Sequence, residues 1–562
     1  MYILGISAYY HDSAAVLVKN GKVICAVEEE RFTRLKHDNS FPINAVRHCL
    51  KFANIKIEDV NHVAYYEKPL LKFERILQTF LETFPFSLSV FLKGIPEWLN
   101  YKIKIGKIIE KNIGFKGKIF YIPHHLSHAA CSYFTSSFEN TAILTIDGVG
   151  DYPTTGLWIG KRGEIKPLKM LNFPDSLGLF YSTLTSFLGF GVNSDEYKVM
   201  GLSAYGKPKY FNKMLNMLDV KEDGSFKLNM NYFSFRESFT MWSKKTEKVF
   251  GKPRKHGDRI RQRDKNLASS LQKVTEQTYF KILNHLYEIT NTKNLCVSGG
   301  VALNSLANGK IYTNTPFRKV HIFGAAGDSG ASLGAALYVY HSILGNKKRT
   351  TLGNLYLGGI NKALEIRKAL KNSNLKYEKI NNSSNLINKV ALELSNNKII
   401  GWYVGRMEFG PRALGARSIL ANPNLRKMKD KVNKIKMREE FRPFAASVLQ
   451  EKVHDFFEVP ENKHYSPFMN FCFKAKPSKR KLIAAVVHKD GTCRIQTVNK
   501  NNGLYYQLIK RFFQITGIPC VLNTSYNLST EPIVNTPEEA IKDFLHTSMD
   551  YLVMGNYFIT KD

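Results

Sequence analysis

The sequence predicts an α/β protein of more than one domain, in whose N-terminal part the same strand-and-turn unit occurs twice. Three observations carry this. The chain opens on a buried apolar run at 2–7, followed by runs at 14–18 and 22–27 that flank Asn20-Gly21, a two-residue hairpin signal. A second β-rich run at 141–146 ends in a small acidic turn, Asp147-Gly148, and another strand-like stretch follows at 156–160. At 295–304, LCVSGGVALN reads as strand, Gly299-Gly300, then helix, with backbone amides placed to cradle a nucleotide at a helix start.

Length and composition bound the rest. A chain of 562 residues is too long for one core, so two or three domains are expected, and 44% hydrophobic residues suffice to bury them. The formal net charge is +34. Its lysines are dispersed among Asn and Ile and form no arginine-rich arm, so most of the charge reads as solvated surface with a general attraction for anionic substrates. No specific nucleic-acid partner is expected. Seven cysteines, odd in number and never in a CxxC pair, point to reduced thiols in a cytoplasmic protein. The N-terminus lacks a basic leader, and no stretch approaches the roughly 20 apolar residues that span a bilayer. A soluble protein without a transmembrane segment is the expectation.

In chain order, the turn Tyr9-Tyr10-His11-Asp12-Ser13 follows the first strand. Turns of this sort hold phosphates in actin and heat-shock-type ATPases, so it is a candidate for substrate or phosphate contact, with a plain polar turn as the alternative. Residues 65–115 cluster aromatics and lysines in a helical period broken by Pro85 and Pro96. A helical subdomain that packs on the core and shapes a pocket is expected, with interfacial membrane contact as the alternative.

The stretch 123–151 is where the chain converges. His124 and His128 are four residues apart behind a proline suited to a helix start, so both imidazoles project from one face, at metal-ligand spacing. Such a pair also caps or packs helices. Asp147, in the turn after a strand, favours the ligand reading, and Asp328 in AAGDSG offers a fourth group. Two imidazoles and two carboxylates suit iron(II), manganese or zinc better than copper(I) or calcium. Repetition of the acidic turn after a strand suggests a duplicated actin-like architecture. Residues 176–206 add a helical pattern and a charged, Gly-rich loop containing Glu196 and Lys198, and a lysine-rich linker is expected at 345–351.

The C-terminal part differs in character. A strand at 398–403 leads into GRMEFGPRALGARSILANP, with Arg406, Arg412 and Arg417 in a Gly/Pro-punctuated loop. Lys436, Arg438 and Arg442 follow in KIKMREEFRPFAASVL, Arg494 lies within a strand, and Asn523, Ser525 and Asn527 follow an apolar strand. Guanidinium forks suit bidentate phosphate or carboxylate binding, although any single one also serves as surface charge.

With these motifs assembled, the chain resembles the NodU/CmcH O-carbamoyltransferase family, nearly end to end. The resemblance rests on GISAYYHDSAAVLV, EEERFTRLKHD, HHLSHAA, LTIDGVG, NSDEYKVMGLSAYG, SGGVALN, AAGDSGASLGAAL, GRMEFGPRALGARSILANP, REEFRPFAASVL, HKDGTCRIQTV and NTSYN. It implies an N-terminal duplicated actin-like (ASKHA) domain at 1–345 that carries out carbamoyl transfer, and a C-terminal YrdC-like α/β domain at 353–562 that forms carbamoyl-adenylate from carbamoyl phosphate and ATP, with Mg2+ accompanying the nucleotide. Matched onto this sequence, it implies His124, His128, Asp147 and Asp328 as ligands of iron(II) or another divalent metal. Arg412, Lys436, Arg442, Arg494 and Asn523 would line the adenylate-forming site, with Gly299 and Gly300 as backbone contacts to the nucleotide. His11 is the candidate base and Asp12 a candidate acceptor contact. The implied partner is a small-molecule or glycan acceptor with a free hydroxyl, and a homodimer is entertained. Two other readings share parts of this pattern: a tRNA threonylcarbamoyl-type modification enzyme, and a non-enzymatic actin-like ATP-binding module.

Overall fold

The computed structural model describes residues 1–460 and 465–561. The chain divides into two compact units: Met1–Ile24 with Asn39–Thr351, and Cys25–Asp38 with Leu352–Asp562.

Among the described residues, the first unit contains two five-stranded sheets of the same topology. In one, β1 (Tyr2–Ser7) pairs antiparallel with β2 (Ala14–Lys19), which is flanked by β3 (Lys22–Glu28). On the other side of β1, β4 (His62–Tyr65) and β5 (Lys118–Tyr121) join in parallel. In the other sheet, β6 (Asn140–Ile146) starts an antiparallel meander with β7 (Pro153–Lys161) and β8 (Glu164–Asn172). After a small ribbon of β9 (Leu218–Val220) and β10 (Phe226–Leu228), β11 (Asn294–Ser298) and β12 (Lys319–Ile322) join β6 in parallel. Read from β1 and from β6, the two strand orders coincide. The turn holding Asp12 and the turn holding Asp147 therefore leave equivalent strands, both buried in their sheets.

The predicted hairpin at Asn20-Gly21 is present, with φ of 49° and 77° as a primed turn requires. Residues 196–203 differ from the expected loop. They form a helix, Glu196–Ser203, because Glu196 accepts from Ser182 Oγ (2.7 Å) and Asn193 N (2.9 Å) while Lys198 pairs with Asp195 (3.0 Å), which turns the charged run into a helix start.

Helices His124–Thr135 and Asp328–Tyr338 follow β5 and β12, the equivalent last strands of the two sheets, and pack on each other. Gly334 makes this approach close. A Cβ there would stand 1.8 Å from the Ser127 carbonyl oxygen.

The second unit is built on a nine-stranded sheet among the described residues. Its strands are β13 (Lys376–Lys379), β14 (Ile400–Tyr403), β15 (Arg417–Ala421), β16 (Ala445–Leu449), β17 (Phe471–Lys474), β18 (Thr492–Val498), β19 (Cys520–Ser525), β20 (Tyr551–Met554) and β21 (Tyr557–Thr560). They are ordered β13-β21-β20-β14-β15-β19-β16-β18-β17. Register places Arg494, Ala445 and Asn523 in one cross-strand row, so the Arg494 and Asn523 side chains share a face over the small Ala445.

The segment Cys25–Asp38 straps onto this unit. Arg31 donates to the Gly410 carbonyl (2.8 Å), Glu28 accepts from the Gly410 amide (2.5 Å), and Arg34 donates to the carbonyls of Ile533 and Pro532 (2.8 Å each). All seven cysteines are buried free thiols. Among the described residues no helix is long and apolar enough to cross a membrane.

Candidate functional site

His124 and His128 lie one turn apart on the helix that Pro123 opens, Asp147 follows β6, and Asp328 begins the helix after β12. One ligand atom from each of the four lies within 4.8 Å of the others, and all four side chains are buried. His128 Nε2 stands 3.1 Å from His124 Nε2, 3.0 Å from Asp147 Oδ2 and 3.5 Å from Asp328 Oδ1. His124 Nε2 is 3.3 Å from the same Asp147 oxygen and 3.8 Å from Asp328 Oδ1.

These residues fit a divalent cation. Two imidazole nitrogens aimed at each other and at two carboxylates form a convergent donor set, and Asp328 Oδ2 is buried without a hydrogen-bond partner. Two nitrogens and two carboxylate oxygens are the mixed set that iron(II), manganese or zinc accepts.

The surroundings hold the set in place. Asp147 Oδ1 accepts from Gly148 N (2.7 Å), and Ser176 Oγ donates to the Gly148 carbonyl (2.6 Å) while capping the helix Leu177–Phe187 through Leu179 N (3.0 Å). Gly178 on that helix allows contact with the acidic turn, since a Cβ there would stand 2.5 Å from the Asp147 carbonyl oxygen. Asp151 Oδ2 accepts from His124 N (2.8 Å), and Ser298 Oγ lies 3.4 Å from His128 Nδ1. None of these supports stood out in the sequence. For Ser176 the signal was present, a serine opening an apolar helical run.

Charge follows from this geometry. Burial opposes ionisation of Asp147 and Asp328, yet the histidines around them hold both carboxyls below their usual range. Burial likewise opposes His128, and its hydrogen bonds to Asp147 and Asp328 outweigh that and push it up to about 9. Neighbouring His125 goes the other way. Burial and the two adjacent imidazoles lower it to about 3, and it rests neutral with Nδ1 2.8 Å from Thr145 Oγ1.

His11 Nδ1 is 2.9 Å from Asp12 Oδ2, and this pair is partly exposed beside the four-residue cluster. Burial acts against the His11 imidazolium, but Asp328, Asp12 and Asp147 raise it to about 10. The same region holds groups that the sequence did not single out. Lys72 and Arg75 are buried on the helix Pro69–Thr83, Lys72 Nζ pairs with buried Glu67 (2.6 Å) and lies 4.8 Å from the centre of the Tyr10 ring, and Arg75 donates to the Gly150 carbonyl (3.2 Å). Gly299 and Gly300 lie at the end of β11 against the acidic turn. The Gly299 amide is engaged with the Ala326 carbonyl (2.8 Å), and a Cβ at Gly300 would stand 3.0 Å from Asp147 Oδ1.

In the second unit, the predicted cations gather into two groups. Arg412 and Arg494 are close enough that burial and then the Arg494 guanidinium hold Arg412 well below its ordinary value. Asn523, in the same row as Arg494, donates to Ser447 Oγ (2.9 Å) and to the Ala413 carbonyl (3.2 Å), while its Oδ1 is buried without a partner. Lys436 is buried, donating to Asn527 Oδ1 (2.8 Å) and to the Asn527 carbonyl (2.9 Å). Burial, then Arg438, Arg442 and Lys36, lower it well below its ordinary value. Lys36 comes from the strap, which brings residues near the start of the chain to this group.

The first unit thus holds a buried nitrogen and carboxylate cluster, and the second gathers cations around Asn523 and buried Lys436. Residues 2–337 match the carbamoyltransferase N-terminus and residues 391–561 the carbamoyltransferase C-terminus, and the chain belongs to the carbamoyltransferase family. It is 42% identical to an uncharacterized protein of Synechocystis sp., over 100% of this chain and 97% of that protein. It is 38% identical to the nodulation protein NolNO of Sinorhizobium fredii, over 99% of this chain and 80% of that protein. Among solved structures, HypF of T. kodakarensis covers 61% of this chain with 48% of its own length, at 12% identity and a TM-score of 0.32.

Proposed function

We propose that this carbamoyltransferase forms carbamoyl-adenylate from carbamoyl phosphate and ATP in its second unit and transfers the carbamoyl group in its first unit to a hydroxyl of a sugar-containing or natural-product acceptor. The first unit is read as a duplicated actin-like domain, supported by the repeated strand order, and the second as a YrdC-like domain. The observation that carries the reading is the gathering of cations in the second unit: half-buried Arg412 beside Arg494, and buried Lys436 with Arg438, Arg442 and Lys36 near enough to lower it. Guanidinium and ammonium groups gathered in this way suit the phosphate oxygens of two phosphate-bearing substrates.

Hydrolysis of carbamoyl phosphate by water gives inorganic phosphate and carbamate, whose oxygen then attacks the α-phosphorus of ATP as pyrophosphate departs. The Arg and Lys groups neutralise the charge that develops on the phosphoryl oxygens, an electrostatic role without covalent chemistry. Asn523, with its free Oδ1, is suited to hold the small planar amide of the carbamoyl group. In the first unit the acceptor oxygen attacks the carbamoyl carbon, AMP leaves, and the acceptor proton goes to the His11–Asp12 pair. Asp328, Asp12 and Asp147 favour the His11 imidazolium against the opposing effect of burial, and a cation held by Asp147 and Asp328 would offset two of these three carboxylates and leave His11 readier to accept a proton. His124, His128, Asp147 and Asp328 would hold the divalent cation, which when bound supplies Lewis acidity toward the departing phosphate.

Incubation with ATP and carbamoyl phosphate is expected to give AMP and pyrophosphate, and acceptor screening a mass gain of one carbamoyl group. ADP as the sole nucleotide product would mean a kinase-like reaction and sink the reading.

A further inference from the structure

The helix Pro69–Thr83 is built inside out. Lys72 and Arg75 are buried at 4% and 8% exposure, whereas Leu70 and Leu81 are 71% and 74% exposed. Positions 70 and 81 are eleven residues apart, close to three full turns, so both leucines point the same way. The outward apolar face continues along the chain: Phe84 and Phe86 stand at 60% and 74% exposure in the turn, and Leu92 at 60% on the next helix, Leu88–Glu97. Scattered exposed leucines are ordinary, but this many large apolar side chains exposed between positions 70 and 92, even with Glu74 and Glu82 exposed among them, beside a helix that buries its own cations are not.

Charge decides the occupant. Seven lysines of residues 68–118 are exposed, Lys68, Lys93, Lys104 and Lys107 among them, against the exposed Glu74, Glu82 and Glu110. Exposed apolar side chains and an excess of exposed lysines in one segment match a surface that is apolar a few ångströms in and negatively charged at its rim. We propose that this face of residues 69–107 seats the protein on a membrane surface containing anionic lipid, as a peripheral contact and not a span.

The test is co-sedimentation of the full chain with vesicles, without substrates, so that its outcome is independent of the activity. Phosphatidylcholine vesicles containing phosphatidylglycerol are expected to bind the protein, and pure phosphatidylcholine vesicles to bind it far less. Lys104→Glu with Lys107→Glu is expected to lower partitioning about twentyfold or more, from about fivefold per basic residue at an anionic surface. Leu81→Ser with Phe86→Ser, both at exposed positions, is expected to lower it by a similar factor while the circular dichroism spectrum is unchanged. Equal binding to both vesicle types, binding to neither, or partitioning that the variants leave unchanged overturns the proposal. So does light scattering that shows a dimer in solution which Leu81→Ser with Phe86→Ser converts to a monomer, because the face would then be covered by a second copy.

Discussion

At the scale of single residues, the four convergent groups have a direct consequence. The double variant His124→Ala, His128→Ala is expected to lose bound metal by elemental analysis while keeping its secondary structure, because removing two of four ligands empties the set without hollowing the core. Full retention would sink the assignment. Buried neutral histidines give a second expectation. Burial, followed by Arg349, lowers His321 to about 4, and burial with Arg494 beside it lowers His488 to about 4 despite the opposing Asp490. Both are neutral when folded and protonate near 6.5 when unfolded, so the stability each supports is full above about pH 6.5 and is lost as pH falls toward 4, by on the order of 3 kcal/mol at most. Urea unfolding between pH 7 and 4.5 should show that slope, and His321→Gln should flatten it. The metal-type set was legible because i,i+4 spacing and an acidic turn after a strand are local features. Asp151 and Ser298 were not, since each acts on a residue far along the chain through one contact that leaves no periodic trace, and for Ser176 only its helix cap was legible, not its bond to the Gly148 carbonyl.

At the scale of elements, the crossing of the two ligand-bearing helices rests on one missing side chain. Gly334→Val should push the helix of Asp328 away from that of His128, costing about 1–3 kcal/mol or more and weakening metal retention together with thermal stability. A change in one without the other would separate packing from ligand placement. The strap makes a different demand. Arg31→Ala would leave Glu28 buried and lacking its cation, a loss of about 3–5 kcal/mol expected in urea unfolding, and would remove one of the two hydrogen bonds that the strap makes to Gly410, two residues from Arg412. Carbamoyl-phosphate-dependent pyrophosphate exchange should fall with it. Most strands were legible from their apolar runs. The helix Pro69–Thr83 shows what periodicity omits: a 3.6-residue repeat reveals apolar positions, yet not that Leu70 and Leu81 stay exposed while Lys72 and Arg75 are buried. Likewise the Gly-rich AAGDSGASLGAAL reads as a ligand loop, whereas Gly334 within it serves helix packing.

At the scale of the whole molecule, placing the two half-reactions in different units predicts that they separate by mutation. Arg442→Ala should cut carbamoyl-phosphate-dependent ATP/pyrophosphate exchange at least tenfold, the loss of one charge-assisted bond worth about 1.5–3 kcal/mol, and His128→Ala should largely spare it. Carbamoyl transfer should fail in both. Exchange lost in His128→Ala but kept in Arg442→Ala would mean the assignments are reversed. The segment 25–38 adds a constraint in time. Arg31 and Gly410 are 379 residues apart, so at about 5–20 residues per second a ribosome finishes the loop that Arg31 grips roughly 20–80 s after Arg31 itself is made. Until then Glu28, Arg31 and Arg34 wait for partners that do not exist, and the C-terminal sheet, once made, closes on a piece of chain from the opposite end of the message. A gene cut between the two units would therefore yield a C-terminal product missing its own strap.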